Sequence, residues 1–305
     1  MPERVVCDIS GSPGAGKTTL LTDLALAVAG ESGKWQGKAC IGGPVAILGG
    51  ERTDAGALSR DLHRTGRPAP SPGALVVPTD GSGDCPPMWR WNRKADDGAG
   101  RWDLTDWGQE ITEWAASAAL AMVIIDTISS AAQGSDLLDQ PQQYSLGQTV
   151  RRWAREVGPQ ITISVSHTNQ ASSAAGTAMH ERLDYLSRAG GNGFPGALRH
   201  LGGLTRLRKG EVPGIDPEDD RTLFAFGFSK HNESPPTDWT HHSPAIFSQR
   251  FGRVELVADG KEVAQRLDEK REAKDEQRSA SRRSAQAQPR VNSYRLAKEG
   301  CNGAI

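Results

Sequence analysis

The chain has 305 residues, 36% of them apolar and 24% charged, with a formal net charge of −1; this suits one sizeable α/β domain with an appendage and excludes a disordered or fibrous chain. A charge near zero also excludes a protein that coats nucleic acid by bulk charge alone, while leaving room for a local basic channel. Cys7, Cys40, Cys85 and Cys301 lack C-x-x-C spacing, Met1-Pro2-Glu3-Arg4 lacks a signal pattern, and no stretch reaches the roughly 18 apolar residues of a membrane span, so reduced thiols and a cytoplasmic protein without membrane contact are expected.

The first twenty residues carry the strongest signal. Arg4 to Ile9 read as a β-branched strand, and Gly11-Ser12-Pro13-Gly14-Ala15-Gly16-Lys17-Thr18 follows as a G-x-x-x-x-G-K-T string, with Thr19 and Leu20 leading into an apolar helix over about Lys17 to Ala29. Glycines in that spacing let successive backbone N–H groups point at the phosphates of a nucleotide. Lys17 supplies a charge to the terminal phosphates and Thr18 a hydroxyl to magnesium. The positive end of the helix dipole adds to the anion site. ATP and Mg2+ are therefore the expected cofactors, with Gly11, Ser12, Pro13, Gly14, Ala15, Gly16, Lys17, Thr18 and Thr19 as binding residues.

Glu31 to Gly43 reads as an exposed loop carrying Trp35. Pro44 to Leu48 is a short buried strand, ended by Gly49-Gly50 and followed at once by Glu51, with a helix over about Thr53 to Arg64. Ala74 to Val77 is a third strand. Residues 79–107 form an irregular insert with Trp89, Trp91 and Trp102, read as a hairpin or loop whose tryptophans pack onto the body in preference to stacking on bases. A helix over Asp106 to Leu120 leads to Ala121-Met122-Val123-Ile124-Ile125-Asp126, an apolar run ending in a carboxylate, as in a parallel strand buried on both faces. Asp126 is the expected Walker B acid, holding magnesium beside Thr18.

Gln142 to Glu156 is an amphipathic helix, and Gln160 to Val165 a strand that finishes at Ser166-His167. Residues 170–196 read as a long, mobile functional loop. Leu204–Arg208 and Thr222–Ser229 read as an antiparallel pair, because Phe224, Phe226 and Phe228 recur at every second position. Val254 to Val257 add an edge strand. From about Gly260 charges of both signs alternate with few large apolar residues, giving a solvated helix or a disordered tail. The resulting division is residues 1–258 as the catalytic domain and 259–305 as a charged tail.

Hydrolysis needs a group that orients and activates water. Asp126 is followed by Thr127, so the carboxylate must come from another strand tip, and Glu51 is the candidate; its alternative role is to cap the helix near Thr53. His167, at the end of a core strand, is placed to bond the γ-phosphate and pass its presence into residues 170–196.

Taken in order, Lys17-Thr18, Gly43 to Glu51, Val123 to Asp126, Ser166 to Asn169, Gly196-Ala197-Leu198-Arg199 and Ser229-Lys230-His231-Asn232 resemble the motifs of RecA-like hexameric ATPases. Within them the string is most similar to plasmid RepA-type replicative helicases, AAA-family ATPases of plasmid and phage type, with DnaB-type helicases and KaiC as more distant relatives. The resemblance covers about residues 3–232. It implies an α/β fold with a RecA-like P-loop NTPase core, a mostly parallel sheet flanked by helices, and late antiparallel strands. It also implies a ring, expected as a hexamer, with ATP between subunits and a neighbour's cation completing each site.

By motif position Arg199 is the first candidate for that cation and Lys230 the second, although DnaB-type proteins carry Lys-x-Arg where this chain has Lys230-His231-Asn232. Single-stranded DNA would be gripped by residues 170–196, with Arg182 and Arg188 as basic contacts. The resemblance does not extend to a DnaB-type N-terminal domain, so loading is expected to use a loader or primase partner, the tail, or a ring that opens by itself. The expected activity is that of an ATP-driven replicative DNA helicase. A RecA- or KaiC-like assembly ATPase that does not translocate, and a P-loop kinase of a small metabolite, are the alternatives.

Overall fold

The computed structural model describes residues 4–30, 33–49, 60, 63, 65–134, 136, 139–168, 177–184, 193–212, 214–216, 219–231, 239–250 and 253–287. The chain divides into two compact units, Met1–Ala264 and Gln265–Ile305.

In the larger unit, β1 (Val5–Gly11) runs into α1 (Lys17–Ala29). A hairpin of β2 (Lys34–Trp35) and β3 (Lys38–Ala39) follows, turning through Gln36 and Gly37, both at positive φ as a two-residue hairpin loop requires. Next come β4 (Val45–Leu48), β5 (Leu75–Val76), β6 (Trp89–Asn92), β7 (Arg101–Leu104) and α2 (Asp106–Ser117). The chain continues through β8 (Met122–Ile125), α3 (Ile128–Ala131), β9 (Ala132–Gln133), α4 (Gln140–Val157) and β10 (Ile161–His167). It ends with α5 (Met179–Leu183), α6 (Gly193–Ala197), β11 (His200–Arg206), β12 (Thr222–His231), β13 (Ala245–Arg250), β14 (Arg253–Asp259) and α7 (Lys261–Ala287).

Nine strands form the main sheet in the order β14-β13-β12-β11-β1-β10-β8-β4-β5. From β11 to β5 neighbours run parallel, and β12 to β14 are antiparallel. The parallel strands are apolar on both faces: Met122 and Ile124 of β8 enter one core with α1, Trp35, Phe224 and Phe247, whereas Val123 and Ile125 enter the other with α2, α4, Trp89 and Trp153. Burial of each such aliphatic side chain stabilises the fold by about 1.5–3 kcal/mol. The connecting helices are signalled locally. Thr105 caps α2 by accepting from the Gly108 N–H, Asp139 caps α4 by accepting from Gln142, and Gly158 ends α4 in the left-handed conformation.

Several sequence expectations change. Trp35 is buried, not exposed, because its indole donates to Asp23 of α1 at 2.8 Å; Arg67 clasps the same carboxylate at 2.7 and 3.1 Å. The strand expected over Leu204–Arg208 begins at His200, through Gly202 and Gly203, since the glycines admit close neighbours: a Cβ on Gly203 would lie 2.2 Å from the Leu183 carbonyl oxygen. The third strand is only Leu75–Val76, and β13 was not anticipated. The helix expected from Thr53 lies largely outside the described residues.

The Trp-rich insert is a β6–β7 hairpin completed by β9. Its tryptophans do pack: Trp89 meets Trp153 edge to face, and the Trp102 indole donates to the Gln142 carbonyl of α4. At the free edge of the sheet Gln36 bonds β14 twice, donating to the Val254 carbonyl at 2.7 Å and accepting from the Leu256 N–H at 2.8 Å. In the first unit Val263 and Ala264 of α7 are buried, and in the second unit the described side chains of α7 are exposed apart from half-buried Leu267.

Candidate nucleotide site

Register sets the site. β1 lies between β10 and β11, with Gly11 opposite His167 on one side and Leu204 on the other. β8 joins β10 and β4 joins β8, so the C-terminal ends of β1, β10, β8 and β4 share one end of the sheet, where an open α/β sheet binds its ligand.

At that end residues 12–16 curl around the start of α1, with Gly14 at φ +75° and Gly16 at φ +91°. A Cβ on Gly14 would meet nothing within 4 Å, so that position faces open space; a Cβ on Gly11 would lie 2.4 Å from the Leu204 carbonyl oxygen, so the turn leaves the sheet where only glycine fits against β11. Lys17 is buried, and its ammonium donates to the Gly11 carbonyl at 2.7 Å and the Ser12 carbonyl at 3.1 Å. It also lies 3.4 Å from His167 Nδ1. An ammonium only donates, so this contact makes Nδ1 the acceptor and puts the imidazole proton on Nε2. Beneath the pair, the buried Asp8 of β1 accepts from Ser164 and Ser166 of β10, each at 2.8 Å, and the Thr168 N–H donates to the Gly11 carbonyl. Lys17, opening the helix after β1, and His167, ending β10, are thus carried by two strands bonded to each other.

Asp126 follows β8 and is buried, its N–H donating to the Leu48 carbonyl at 2.7 Å. Gly49, at φ +112°, continues β4 so close to it that a Cβ would stand 2.4 Å from the Asp126 carbonyl oxygen. The Gly49 N–H is received by Cys85 Sγ at 3.1 Å, and burial raises the pKa of that thiol above its ordinary value. Cys85 was read in the sequence only as an unpaired thiol, because nothing local links it to β4. Glu51, two positions past Gly49, lies outside the described residues.

The glycine cradle, the Lys17 ammonium, the Thr18 hydroxyl and the Asp126 carboxylate are the donor set that phosphate and a hard divalent cation require. Among the described residues no group of three or more His, Cys, Asp and Glu could hold a metal. Magnesium would therefore take most of its oxygens from the nucleotide and water, as it commonly does.

Arg199 and Lys230 lie elsewhere. Arg199 is exposed just before β11, whose His200 pairs with Cys7 and whose Leu201 pairs with Lys230. Burial, then the Arg199 and Arg151 guanidiniums, lower the pKa of Lys230. Arg151 was not singled out in the sequence. Arg182, expected to meet DNA, is instead buried on α5, donating to the Thr177 carbonyl and paired with Glu211 at 3.0 Å. Arg188 and Asn232 lie outside the described residues, as do 170–176 and 185–192 of the expected loop; within its span α5 and the first four residues of α6 are helical.

The sequence profile of a family described as an AAA domain matches residues 1–173, which hold the cradle, Asp126 and His167. The chain belongs to this family. Among solved structures the AAA domain is similar to one described as an ATPase domain, with a TM-score of 0.55, 11% identity, and coverage of 85% of this chain and 86% of that one. Its sheet is of the RecA-like type. A comparison with curated proteins gives no match. No helix among the described residues of this AAA domain is long and apolar enough to cross a membrane.

Proposed function

We propose that this AAA domain is an ATP-hydrolysing ring motor on single-stranded DNA, a replicative helicase of plasmid or phage type, with each active site divided between two copies. The supporting observation is the separation of two sets of groups along one strand pair. The phosphate cradle follows Gly11, level with Leu204, whereas Arg199 precedes His200, the start of the neighbouring strand β11 and about 13 Å back at 3.3 Å per residue. An arginine there does not reach the phosphates held by its own cradle. It is suited to those of a neighbour, in a ring most simply a hexamer.

In this reading Lys17 and the cradle bind the triphosphate, while Thr18 and Asp126 hold magnesium, which would supply charge neutralisation on the β- and γ-oxygens. Glu51 orients water. His167 reports the γ-phosphate: when phosphate draws the Lys17 ammonium away, Nδ1 loses its donor and β10 transmits the change into the segment after Thr168. Arg199, with Lys230 beside it, neutralises charge in the partner's transition state, an effect of roughly 10³–10⁵ in rate for arginine fingers. A loader or primase partner would place the ring on DNA.

The test is ATP turnover with and without single-stranded DNA, then strand displacement on a fork. Stimulation and unwinding support the motor. A ring that forms with ATP, turns over slowly and shows neither response would instead be a nucleotide-gated assembly ATPase. Mixing Glu51→Gln with Arg199→Ala subunits tests the divided site: turnover should return in the mixture although each variant alone is inactive.

A further inference from the structure

Helices α4 and α6 meet backbone to backbone. A Cβ on Gly147 of α4 would lie 2.6 Å from Ala197 Cβ and 3.0 Å from the Phe194 carbonyl oxygen, and one on Gly193 of α6 would lie 2.3 Å from the Gln140 carbonyl oxygen. Both ends of the short helix are therefore pressed onto α4, with Phe194 and Leu198 fully buried as its anchors. One turn beyond Gly147, the half-buried Arg151 donates from Nη1 to the carbonyl of Ala197, the last residue of α6, at 3.2 Å. Two residues past that carbonyl stands Arg199. Lys230, paired across from Leu201, completes a group of three cations drawn from α4, the β11 start and β12.

Guanidinium and ammonium groups favour an oxygen-rich anion. The element that sets where they stand is the glycine-packed joint with Arg151 across its end. A guanidinium held on a backbone carbonyl sets the position of the chain that follows, whatever it adds as a charge.

We propose that Arg151 is a positioning residue for Arg199: by holding the Ala197 carbonyl it fixes the presentation of the Arg199–Lys230 pair to the nucleotide phosphates of a second copy of this chain. This rests on the divided-site reading above. Arg151 then belongs to the donating face of a subunit and does nothing for that subunit's own cradle.

Three variants test it: Arg151→Met, which keeps the stem; Arg151→Lys, which keeps charge and one donor; and Gly147→Ala, which loosens the same joint without touching charge. Arg151→Met should lower kcat about tenfold or more while binding of a fluorescent ATP analogue changes by less than about twofold, and Arg151→Lys should recover part of the loss. Mixed with Lys17→Ala subunits, Arg151→Met and Gly147→Ala should regain turnover, as Arg199→Ala should; mixed with Arg199→Ala they should not. An unchanged kcat, a fall in analogue binding equal to the fall in kcat, or no recovery with Lys17→Ala where Arg199→Ala does recover would overturn the assignment. If Arg199→Ala also fails to recover with Lys17→Ala, the divided site itself falls, and this role with it.

Discussion

Gly49→Ala probes the spacing between the tips of β4 and β8. The new methyl would start 2.4 Å from the Asp126 carbonyl oxygen and 2.7 Å from its carbon, where ordinary contact begins near 3.4 Å, so the two backbones must part by about 1 Å. Alanine at φ +112° adds strain of about 1–3 kcal/mol. The wedge adds about 1–3 kcal/mol more. A loss of about 2–6 kcal/mol is a large part of the roughly 5–15 kcal/mol that holds a domain together. Parting also stretches the Asp126 N–H to Leu48 bond of 2.7 Å and so shifts the carboxylate proposed to hold magnesium. A 1 Å misplacement of that kind costs about 10² in rate. Urea unfolding gives the first quantity and single-turnover ATP hydrolysis at saturating nucleotide the second. Stability within about 0.5 kcal/mol of the parent, with turnover within about twofold, would refute the view that this contact sets the spacing of the β4 and β8 tips.

Two further perturbations address the body of the fold. Asp23→Ala leaves the buried Trp35 indole and the Arg67 guanidinium without their shared acceptor and should cost about 3–5 kcal/mol in urea unfolding, with part of the loss recovered in a double variant carrying Arg67→Met. The His241 ring titrates below its ordinary value of 6.5 because of its burial, with His242 and His180 also opposing its charge and the Phe228 carbonyl and Asp184 favouring it. The unfolded chain therefore binds the proton more readily, and stability should fall as pH drops below 6.5, towards the lowered folded value. In His241→Gln that part of the pH profile of thermal unfolding should flatten; an unchanged slope would remove His241 as its source.

What could be seen in the sequence is what neighbouring residues determine. The cradle from Gly11 to Thr18 is a local backbone path with its own residue requirements, and the run from Met122 to Ile125 closing on Asp126 declares a strand buried on both faces. His167 was placed correctly at a strand end, and the register adds that it touches Lys17. Other features depend on partners far apart in the chain. Trp35 looked like a loop residue because Asp23 and Arg67 lie on separate segments; Arg182 looked available for DNA because Glu211 comes 29 residues later. The strand was expected to begin at Leu204, after Gly202 and Gly203, which are where it is crossed closely by other chain. Arg151 gave no local sign at all, since its meaning is the carbonyl 46 residues away.

The glutamine in the first hairpin has a consequence for assembly. Its amide answers a carbonyl and an N–H of the outermost strand much as one more strand would, so the middle of that border offers no template for an incoming chain. In the proposed ring, copies of this protein would then join through side chains and helix flanks and not through this border. Contacts of that kind can loosen and re-form as nucleotide comes and goes, whereas a sheet continued from one molecule to the next would be locked.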